Sequence, residues 1–312
     1  MKKWHFCFTL IFCGFILPNG GAAPQAGHVV LISFDGLRPD AIDAAKAVTL
    51  LELIKQGAYC SRAKTVRPSL TLPAHASMLT GLEISRHHVT WNDYKPGEIS
   101  LPTIFSYAKQ SGRRVEAFLS KPKFYFLAPA RSLDFRYIPP APENWDSTNP
   151  KMVRAGVLKS YLGPPDTSAQ GIALAIAKEW PRQQRAFTFI HFREPDVVGH
   201  LDGWMSNEYL EAVGNCDKAV GSILETLDLS GARERTVVIV TSDHGGKGRY
   251  HLKDVPENNS IPWICAGPGV PKGLLIQRDI HIADNMPTVL TLLGIPVPEK
   301  LDGKVVREVI QR

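Results

Sequence analysis

The sequence predicts an α/β fold, a sandwich built on a largely parallel β-sheet. Five runs rich in β-branched and aromatic residues are almost continuously apolar, which is typical of strands covered on both faces. These runs are HVVLISF (28–34), RRVEAFLS (113–120), FTFIHF (187–192), TVVIV (236–240) and IPWICAG (261–267). Segments with helical spacing of apolar residues lie between several of them, and this alternation of strands and helices favours the α/β class.

Helical patterns separate the predicted strands. The three longest are residues 40–56, 168–180 and 207–227. Ser168 is a suitable N-cap for the second of these. A shorter helix is expected from Pro73 to about Thr80, because proline is favoured at the first helical position and Gly81 favours termination.

Residues 1–23 are predicted to be a cleaved signal peptide, and residues 24–312 to form a single catalytic domain. Two lysines at the start precede an apolar stretch at 6–17, and small residues at 21–23 offer a cleavage site. The apolar stretch is short for a membrane span and contains Gly14, so it favours export over membrane anchoring. We therefore expect a periplasmic or secreted protein without a membrane anchor.

The composition favours a folded domain whose main partner is not nucleic acid. The chain has 312 residues with 44% apolar content, which is enough for a substantial core. Loss of the two leader lysines would lower the formal net charge from +6 to about +4. This charge is spread without a dense basic block, and it suits a negatively charged small-molecule substrate.

Three cysteines remain after removal of the leader. Cys60, Cys216 and Cys265 have no CxxC spacing, which argues against a thiolate metal site. One disulfide among them stays open, and inert buried thiols are the simpler interpretation.

Residues 121–165 depart from the strand and helix pattern. They are rich in proline and aromatic residues and have little periodicity. Two interpretations stay open, a long loop packed over the edge of the sheet or an insertion that shapes the substrate pocket. Four aromatic residues in this stretch could offer a stacking surface or belong to the core: Phe124, Tyr125, Phe126 and Tyr137.

Three of the predicted strands end in acidic residues. Asp35 follows the first run, Asp196 follows FTFIHF after a short interval, and Asp243 follows TVVIV. Because the carboxyl ends of parallel strands meet at one edge of a sheet, functional groups gather there. If these three strands are neighbours, the repulsion between their carboxylates requires a cation to offset it.

Histidines at suitable spacings accompany these acids. Asp196 and His200 are four residues apart, so one helical turn would place them on the same face, and His251 follows His244 after a glycine-rich turn. Carboxylate and imidazole ligands without a thiolate fit zinc or a similar divalent ion. The remaining histidines of interest are interpreted differently, with His281 as a sheet-edge residue and His87 and His88 as loop residues.

Each of these motifs has an ordinary structural alternative. SDHGG alone could be an Asp-capped turn at the end of a strand, and Asp35-Gly36 alone is a common turn sequence. Only the combination of three acid-tipped strands with spaced histidines favours a metal site.

Thr71 lies just before the expected helix that starts at Pro73. Free backbone N–H groups and the helix dipole attract phosphate-like anions at such a position. A hydroxyl held there beside a divalent cation could ionise and attack phosphorus. The alternative is that Thr71 or Ser69 only caps the helix.

In their order along the chain, the motifs resemble the alkaline phosphatase superfamily, and most closely its nucleotide pyrophosphatase/phosphodiesterase (type I phosphodiesterase) branch. The matching segments are SFDGLRPD, TLPAH, EPDVVGH, SDHGG and AGPGV. The resemblance implies an αβα sandwich around a mixed, mostly parallel sheet, with two zinc ions at the strand ends. It implies one ion bound by Asp35, Thr71, Asp243 and His244, and a second bound by Asp196, His200 and His251.

The same resemblance implies a secreted two-metal phosphodiesterase or nucleotide pyrophosphatase that acts on a small-molecule phosphate ester. Thr71 matches the family's nucleophile, which becomes a phosphothreonine, and Asn92 matches an asparagine that helps to hold the phosphoryl oxygens. One ion would hold the Thr71 alkoxide and the other would stabilise the leaving oxygen.

The chain departs from the nucleotide-cleaving pattern at Leu72, at Ala74 and in the short segment between His244 and His251. Leu72 stands where those members carry an aromatic ring that stacks on a base, so base recognition at this position is not expected. Lys121 and Lys123 could neutralise a phosphate oxygen, which would favour monoesters, or they could be a solvated lysine pair.

Alternative functions are compatible with the same scaffold. The first is hydrolysis of phosphomonoesters, phosphonates or sulfate esters, although TLPAH lacks the Cys/Ser-x-Pro-x-Arg context of a formylglycine sulfatase. The second is a non-enzymatic exported protein that binds anions. The second is less favoured, because a receptor has no need for the nucleophile Thr71.

Overall fold

The computed structural model describes residues 26–140, 167–180 and 187–310. The expected signal peptide at 1–23 and the greater part of the expected insertion, 141–165, lie outside these ranges. The described part of that insertion, 121–140, contains two short 3₁₀ turns and a strand at the edge of the sheet.

Eight strands form one sheet. They are β1 (His28–Phe34), β2 (Ala58–Lys64), β3 (Val115–Phe118), β4 (Phe135–Tyr137), β5 (Phe187–Phe192), β6 (Thr236–Ser242), β7 (Ser260–Ala266) and β8 (Leu274–Leu275). Their spatial order is β4-β3-β5-β1-β6-β7-β2-β8. The five predicted runs correspond to β1, β3, β5, β6 and β7, which confirms the predicted α/β class.

The sheet is mixed but mostly parallel, as predicted. Strands β4, β3, β5, β1 and β6 are parallel, whereas β7 is antiparallel to both β6 and β2. A parallel connection needs a long crossover, usually a helix that packs on a face of the sheet. The segment between β6 and β7 contains only the four-residue helix Pro256–Asn259, and the chain returns antiparallel beside β6.

Ten helices flank this sheet in the described residues. They are α1 (Ala41–Ala44), α2 (Val48–Gln56), α3 (Thr71–Thr80), α4 (Ile84–His87), α5 (Ile104–Gln110), α6 (Ala169–Glu179), α7 (Glu194–Asp202), α8 (Asn207–Leu229), α9 (Pro256–Asn259) and α10 (Asn285–Leu292). The predicted helices at 168–180 and 207–227 are confirmed as α6 and α8. Ser168 accepts a hydrogen bond from the Gly171 N–H, so it is the cap that the sequence predicts.

Two predicted helices differ from the structure. The helix expected at 40–56 is divided into α1 and α2, because Lys46 adopts a left-handed backbone conformation with φ 51° between them. The helix expected to start at Pro73 begins two residues earlier, so that Thr71 is its first residue.

Apolar side chains fill both faces of the sheet. Along β1, Val29 and Leu31 point to a core shared with α3, α5 and α10, whereas Val30 and Ile32 point to a second core shared with α2, α6 and α8. Every residue of β1, β5 and β6 is buried. Charged groups at the ends of these strands must therefore find partners or a bound cation, because isolated buried charges are costly.

Strands β2, β4 and β8 were not predicted. Strand β2 reads AYCSRAK and has no continuous apolar run, because Ser61 and Arg62 are exposed near the sheet's edge. Strands β4 and β8 have three and two residues, which is too short to show a periodicity.

The three cysteines of the described chain are buried and form no disulfide. Burial raises the pKa of the Cys216 and Cys265 thiols, which agrees with inert thiols. None of the helices in the described ranges is long and apolar enough to cross a lipid bilayer.

Replacing the N-cap of the longest helix tests the local energetics of the fold. Ser206 accepts a hydrogen bond from the Tyr209 N–H at 3.1 Å at the start of α8. We expect Ser206→Ala to lower the free energy of unfolding by about 1 kcal/mol. Ser222→Ala, at an exposed position of the same helix, is the control and should change it by less than about 0.5 kcal/mol in urea denaturation. Equal effects of the two substitutions would contradict the capping role.

Candidate active site

Four adjacent parallel strands bring polar side chains to one edge of the sheet. Strands β3, β5, β1 and β6 are neighbours, so their carboxyl ends lie side by side. Asp35 follows β1, Asp196 lies in the first turn of α7 after β5, and Asp243 follows β6. All three carboxylates are buried. The predicted adjacency of the three acid-tipped strands is therefore confirmed.

Three of the four ligands predicted for the first ion, Asp35, Asp243 and His244, lie close together, and Asp196 joins them. The Nε2 atom of His244 lies 3.4 Å from Asp35 Oδ1 and 3.4 Å from Asp243 Oδ2. It also lies 3.9 Å from Asp196 Oδ1. One atom each from Asp35, Asp196 and His244 lie within 4.8 Å of one another, so these three side chains could hold a metal ion.

The second predicted ligand group converges beside the first. Helix α7 places Asp196 and His200 one turn apart, as their spacing predicts, with 3.3 Å between Asp196 Oδ1 and His200 Nε2. The Nε2 atom of His251 lies 3.8 Å from the same carboxylate oxygen. The ligand atoms of these three residues also lie within 4.8 Å of one another, so Asp196 belongs to both groups.

Backbone carbonyls orient the three imidazoles. In each ring, Nδ1 is at hydrogen-bonding distance from a carbonyl oxygen, so the Nδ1–H tautomer leaves the Nε2 lone pair directed at the carboxylates. The pairs are His200 with Arg249 at 2.9 Å, His244 with Gly245 at 2.8 Å, and His251 with Ser69 at 2.6 Å. This is the usual arrangement of histidines that bind metals.

Each of the three carboxylates has one oxygen that accepts hydrogen bonds and one buried oxygen without a hydrogen-bond partner. Asp243 Oδ1 accepts the backbone N–H groups of Gly36 and His244, both at 3.0 Å. In contrast, Asp35 Oδ1, Asp196 Oδ1 and Asp243 Oδ2 are buried without a hydrogen-bond partner, and so is His244 Nε2. Buried polar atoms are rarely left unpaired. These four unpaired atoms carry lone pairs and face one another, so a divalent cation suits them.

The pKa values of Asp243, His244 and Asp35 reflect the crowding of carboxylates at this site. Burial, followed by repulsion from Asp35, raises the pKa of Asp243 to about 7. Burial alone would lower the pKa of His244, but the adjacent carboxylates of Asp243 and Asp35 raise it to about 9. The pKa of Asp35 stays well below its usual range despite burial, because the Lys121 ammonium and two imidazoles stabilise its charged form.

The structure contradicts the interpretation of Lys121 as a solvated residue. Lys121 follows β3, and only 3% of it is exposed. Its Nζ atom lies 2.5 Å from Asp35 Oδ2 and 2.6 Å from Asp196 Oδ2. Lys123 is partly buried, and its Nζ donates a hydrogen bond to Asn92 Oδ1 at 3.0 Å. The sequence does not predict the burial of Lys121, because SKPK lies in a proline-rich stretch that is typical of an exposed loop.

The first turn of α3 connects Thr71 and Asn92 to this cluster. Thr71 is buried, and its carbonyl oxygen lies 2.8 Å from His75 Nδ1. The same nitrogen lies 3.7 Å from Asp243 Oδ2. Asn92 Oδ1 accepts the Leu72 N–H at 2.9 Å, which attaches the amide to the first turn of the helix.

Two supporting histidines were missed at the sequence level. His191 Nε2 lies 3.1 Å from Asp35 Oδ2, and His75 Nε2 lies 2.8 Å from Ser33 Oγ. Both rings are fully buried, and burial is the main reason why the pKa of His191 is lowered to about 4 and that of His75 falls well below its usual value. The burial of His191 could have been predicted from the sequence, because this residue lies inside the apolar run FTFIHF, which predicts a buried strand.

The two glycines of SDHGG allow close packing around Trp204. A Cβ atom at Gly246 would lie 2.1 Å from the Trp204 ring, and one at Gly245 would lie 2.0 Å from the carbonyl oxygen of Glu257. The Trp204 indole N–H donates to the Gly36 carbonyl at 2.8 Å, and its ring packs edge-on against His200 at 5.1 Å. The glycine pair therefore lets the chain that carries His244 pass next to this indole.

Other residues considered at the sequence level lie away from the cluster. His281 forms a bridge with Lys64 at the sheet edge, as predicted. The prediction of a loop at His87 is wrong, because His87 ends α4 and is buried against Ser77 at 2.9 Å, while His88 caps that helix with φ 58°.

The aromatic residues after Lys121 do not form one stacking surface. Phe124 is fully buried and packs against His191 with ring centroids 4.4 Å apart, so it lies behind the site. Phe126 and Tyr137 are partly buried against Trp91 and Phe118, respectively.

Comparison with known proteins relates the chain to phosphoryl-transfer enzymes. Residues 29–259 match the family model described as type I phosphodiesterase / nucleotide pyrophosphatase. Among curated proteins, the 2,3-bisphosphoglycerate-independent phosphoglycerate mutase of Antithamnion sp. is 26% identical over 170 residues, which are 52% of this chain and 32% of that protein. The chain thus matches about a third of the length of the first curated relatives.

Solved structures share the fold at low sequence identity. The murine ectonucleotide pyrophosphatase/phosphodiesterase 5 superposes with a TM-score of 0.72 at 15% identity, covering 91% of this chain and 100% of the murine chain. The same murine protein has been solved as an inactive variant in complex with AMP. The phosphonate monoester hydrolase of Agrobacterium radiobacter superposes with a TM-score of 0.62 at 19% identity, covering 90% and 77% of the two chains. The alkaline-phosphatase-like fold predicted from the motifs is therefore confirmed.

The raised pKa of Asp243 predicts a pH-dependent effect in chelator-treated protein. The folded-state pKa of about 7 lies above the unfolded value, so the folded protein binds the extra proton and loses stability as pH rises from about 4 to 7. Asp243→Asn removes the buried charge. It should raise the free energy of unfolding at pH 8 by roughly 2–4 kcal/mol, with the gain shrinking toward pH 4.

Asp228→Asn is the control for this measurement, because Asp228 is exposed near the end of α8. It should change the unfolding free energy by less than about 0.5 kcal/mol at either pH. Destabilisation of the chelator-treated Asp243→Asn variant at pH 8 would contradict the assignment of repulsive crowding to this site.

Proposed function

The chain belongs to the type I phosphodiesterase / nucleotide pyrophosphatase family, and on this premise we propose that it is a two-metal hydrolase of phosphodiester or pyrophosphate bonds with Thr71 as its nucleophile. The observation that carries the proposal is the set of unpaired carboxylate and imidazole atoms, which face one another beside the helix that begins at Thr71. The substrate is a small-molecule phosphate ester, whose negative charge suits a site that would hold two divalent cations next to Lys121.

Seven side chains would hold the metal ions. The family resemblance assigns Asp35, Thr71, Asp243 and His244 to one ion and Asp196, His200 and His251 to the other. The clusters of the structure support the second group in full and, for the first, bring Asp35 and His244 together with Asp196. Oxygen and nitrogen ligands without a thiolate favour zinc. Two divalent ions so held would supply a lowered pKa for a bound hydroxyl and charge neutralisation for the leaving oxygen.

In the first step, the Thr71 oxygen attacks phosphorus. A bond forms between that oxygen and phosphorus, the bond to the leaving group breaks in line, and the hydroxyl proton is lost to solvent. In the first turn of α3, the Leu72 and Ala74 N–H groups donate to Asn92 Oδ1 and to the Leu70 carbonyl, and Pro73 has no N–H, so the helix start acts on a phosphoryl group mainly through its dipole. The Asn92 oxygen accepts the Leu72 N–H and a Lys123 N–H, so its NH₂ group is free to donate to the phosphoryl oxygens.

In the second step, water attacks the phosphothreonine. The phosphorus bond to Thr71 breaks, the product leaves, and the hydroxyl group is regenerated. His191 and His75 support the carboxylates from the core side, since they contact Asp35 and approach Asp243 at 3.1 and 3.7 Å. We regard both as positioning residues.

Removal of the nucleophile and removal of the metal test this proposal. Thr71→Ala and treatment with a chelator should each lower kcat on bis(p-nitrophenyl) phosphate by at least about 10³-fold. Elemental analysis of the purified protein should find two divalent ions per chain, and Thr71→Ser should retain partial activity. Full activity after complete metal removal would refute the two-metal assignment.

A retained anion affinity without turnover would support the non-enzymatic alternative instead. Calorimetric titration with inorganic phosphate, combined with a panel of ester substrates, separates the two cases. Binding in the absence of hydrolysis of every ester would favour an anion receptor.

Hydrolysis of phosphomonoesters or phosphonates is the second candidate function. It is favoured by the buried Lys121 and by the absence of an aromatic ring at Leu72, which is itself fully buried. For phosphonates, it is also the activity in the name of the phosphonate monoester hydrolase with a similar fold. Relative rates on monoesters and diesters with the same leaving group distinguish the candidates.

We also propose that the protein is exported through cleavage of residues 1–23 and acts in the periplasm or outside the cell without a membrane anchor. The charged start, short apolar stretch and small residues at 21–23 support this proposal. The intact mass of the protein recovered from the expressing host measures it directly, and a mass that retains the leader would contradict it.

A further inference from the structure

We propose that Lys121 and Lys123 form a lysine pair that strengthens the binding of phosphoryl groups with two negative charges, so that the proposed phosphodiesterase also accepts phosphomonoesters. The inference rests on the proposed Thr71 chemistry and concerns how far the substrate range of that chemistry extends. It starts from the position of the two lysines after β3: Lys121 lies immediately before the 3₁₀ turn Pro122–Tyr125, and Lys123 lies within that turn.

Lys121 is compatible with filled metal positions. It binds the Oδ2 oxygens of Asp35 and Asp196, at 2.5 and 2.6 Å, whereas the unpaired Oδ1 oxygens of the same carboxylates face the histidines. The ammonium group therefore uses different oxygens from those available to a cation. It remains next to both ligand groups and does not compete with them for the same atoms.

Lys121 has a donor left for a substrate. An ammonium group carries three N–H donors, and the described residues supply two acceptors, one from each carboxylate. A phosphoryl oxygen bound between the two ligand groups would be a suitable third acceptor. Charge-assisted hydrogen bonds of this kind are about twice as strong as neutral ones.

Lys123 is connected to the first turn of α3 through its hydrogen bond with Asn92. Its Nζ atom lies 3.0 Å from Asn92 Oδ1, and the same oxygen accepts the Leu72 N–H next to Thr71. Lys123 is therefore one side chain away from the first turn of α3 and retains two further N–H donors among the described residues. It also fixes the orientation of the Asn92 amide, whose NH₂ group is left to bind a phosphoryl oxygen.

The charges of the site favour a doubly charged ligand. Three carboxylates and the Thr71 alkoxide supply four negative charges, and two divalent ions would supply four positive charges. Burial and repulsion from Lys121 lower the pKa of Lys123 to about 8, so both ammonium groups carry their charge at pH 7. The lysine pair then adds two positive charges. A phosphomonoester dianion balances both of these charges, whereas a diester monoanion balances only one. Inside a buried site such a difference is weakly screened by solvent.

Substitution of the lysine pair tests this contribution in the zinc-loaded full chain. We expect Lys123→Met to weaken calorimetric binding of inorganic phosphate at pH 7 by roughly tenfold, the size of one charge-assisted hydrogen bond. The ratio of kcat/KM for p-nitrophenyl phosphate to that for bis(p-nitrophenyl) phosphate should fall by a similar factor. Lys123→Arg should restore most of both values, and Lys121→Gln should lower the ratio further.

Lys55→Met is the matched control, since the Lys55 side chain is 75% exposed in α2, and it should change neither value by more than about twofold. Zinc content is measured for each variant, because Lys121 contacts two expected ligands. Equal losses on the monoester and the diester, or unchanged phosphate binding in Lys123→Met, would overturn the proposal. Phosphate binding requires no turnover, so this result is distinct from activity persisting in Thr71→Ala, which would count against the nucleophile instead.

Discussion

The close approach of three buried carboxylates is the constraint on which this site depends. Asp35, Asp196 and Asp243 all contribute an unpaired oxygen to a space lined by His244. Mutual repulsion in a low-dielectric environment would expel or protonate such groups unless cations compensate them. Lys121 supplies one positive charge from the protein, and the proposed metal ions would supply the rest.

This arrangement explains why so many supporting contacts surround the acids. The backbone N–H groups at Gly36 and His244, the imidazole of His191 and the Lys121 ammonium each satisfy one oxygen of a carboxylate. They fix the orientation of the second oxygen, which would otherwise be free to rotate into contact with any donor. These hydrogen bonds from the protein therefore hold the candidate ligand atoms in place.

The sequence predicted the parts of the site that are local to one strand or one helical turn. Continuous apolar runs indicate buried parallel strands, and acids directly after them must lie at one edge, so Asp35 and Asp243 were accessible to prediction. The four-residue spacing of Asp196 and His200 required only a helical turn. These features depend on short-range geometry, which a single sequence contains.

Features that depend on a distant partner could not be predicted in the same way. Lys121 lies in a sequence that resembles an exposed loop, and only the neighbouring positions of β3, β5 and β1 show that its ammonium is buried between two acids. The break in the helix expected at 40–56 depends on the conformation of Lys46, which no periodicity reveals. Strand β8 has two residues and is identified as a strand only by its pairing with β2.

The pairing of β1 with its two neighbours has a further consequence. Phe34 is aligned with Phe192 on one side and with Ser242 on the other, so the residues that follow these three strands leave the sheet at one level. A slip of one residue in either pairing would exchange the two faces of the strand and displace Asp35 by about 3.3 Å along it. Strand alignment therefore sets the spacing of the carboxylates, and the hydrophobic contacts that maintain the alignment also maintain the spacing of the proposed metal ligands.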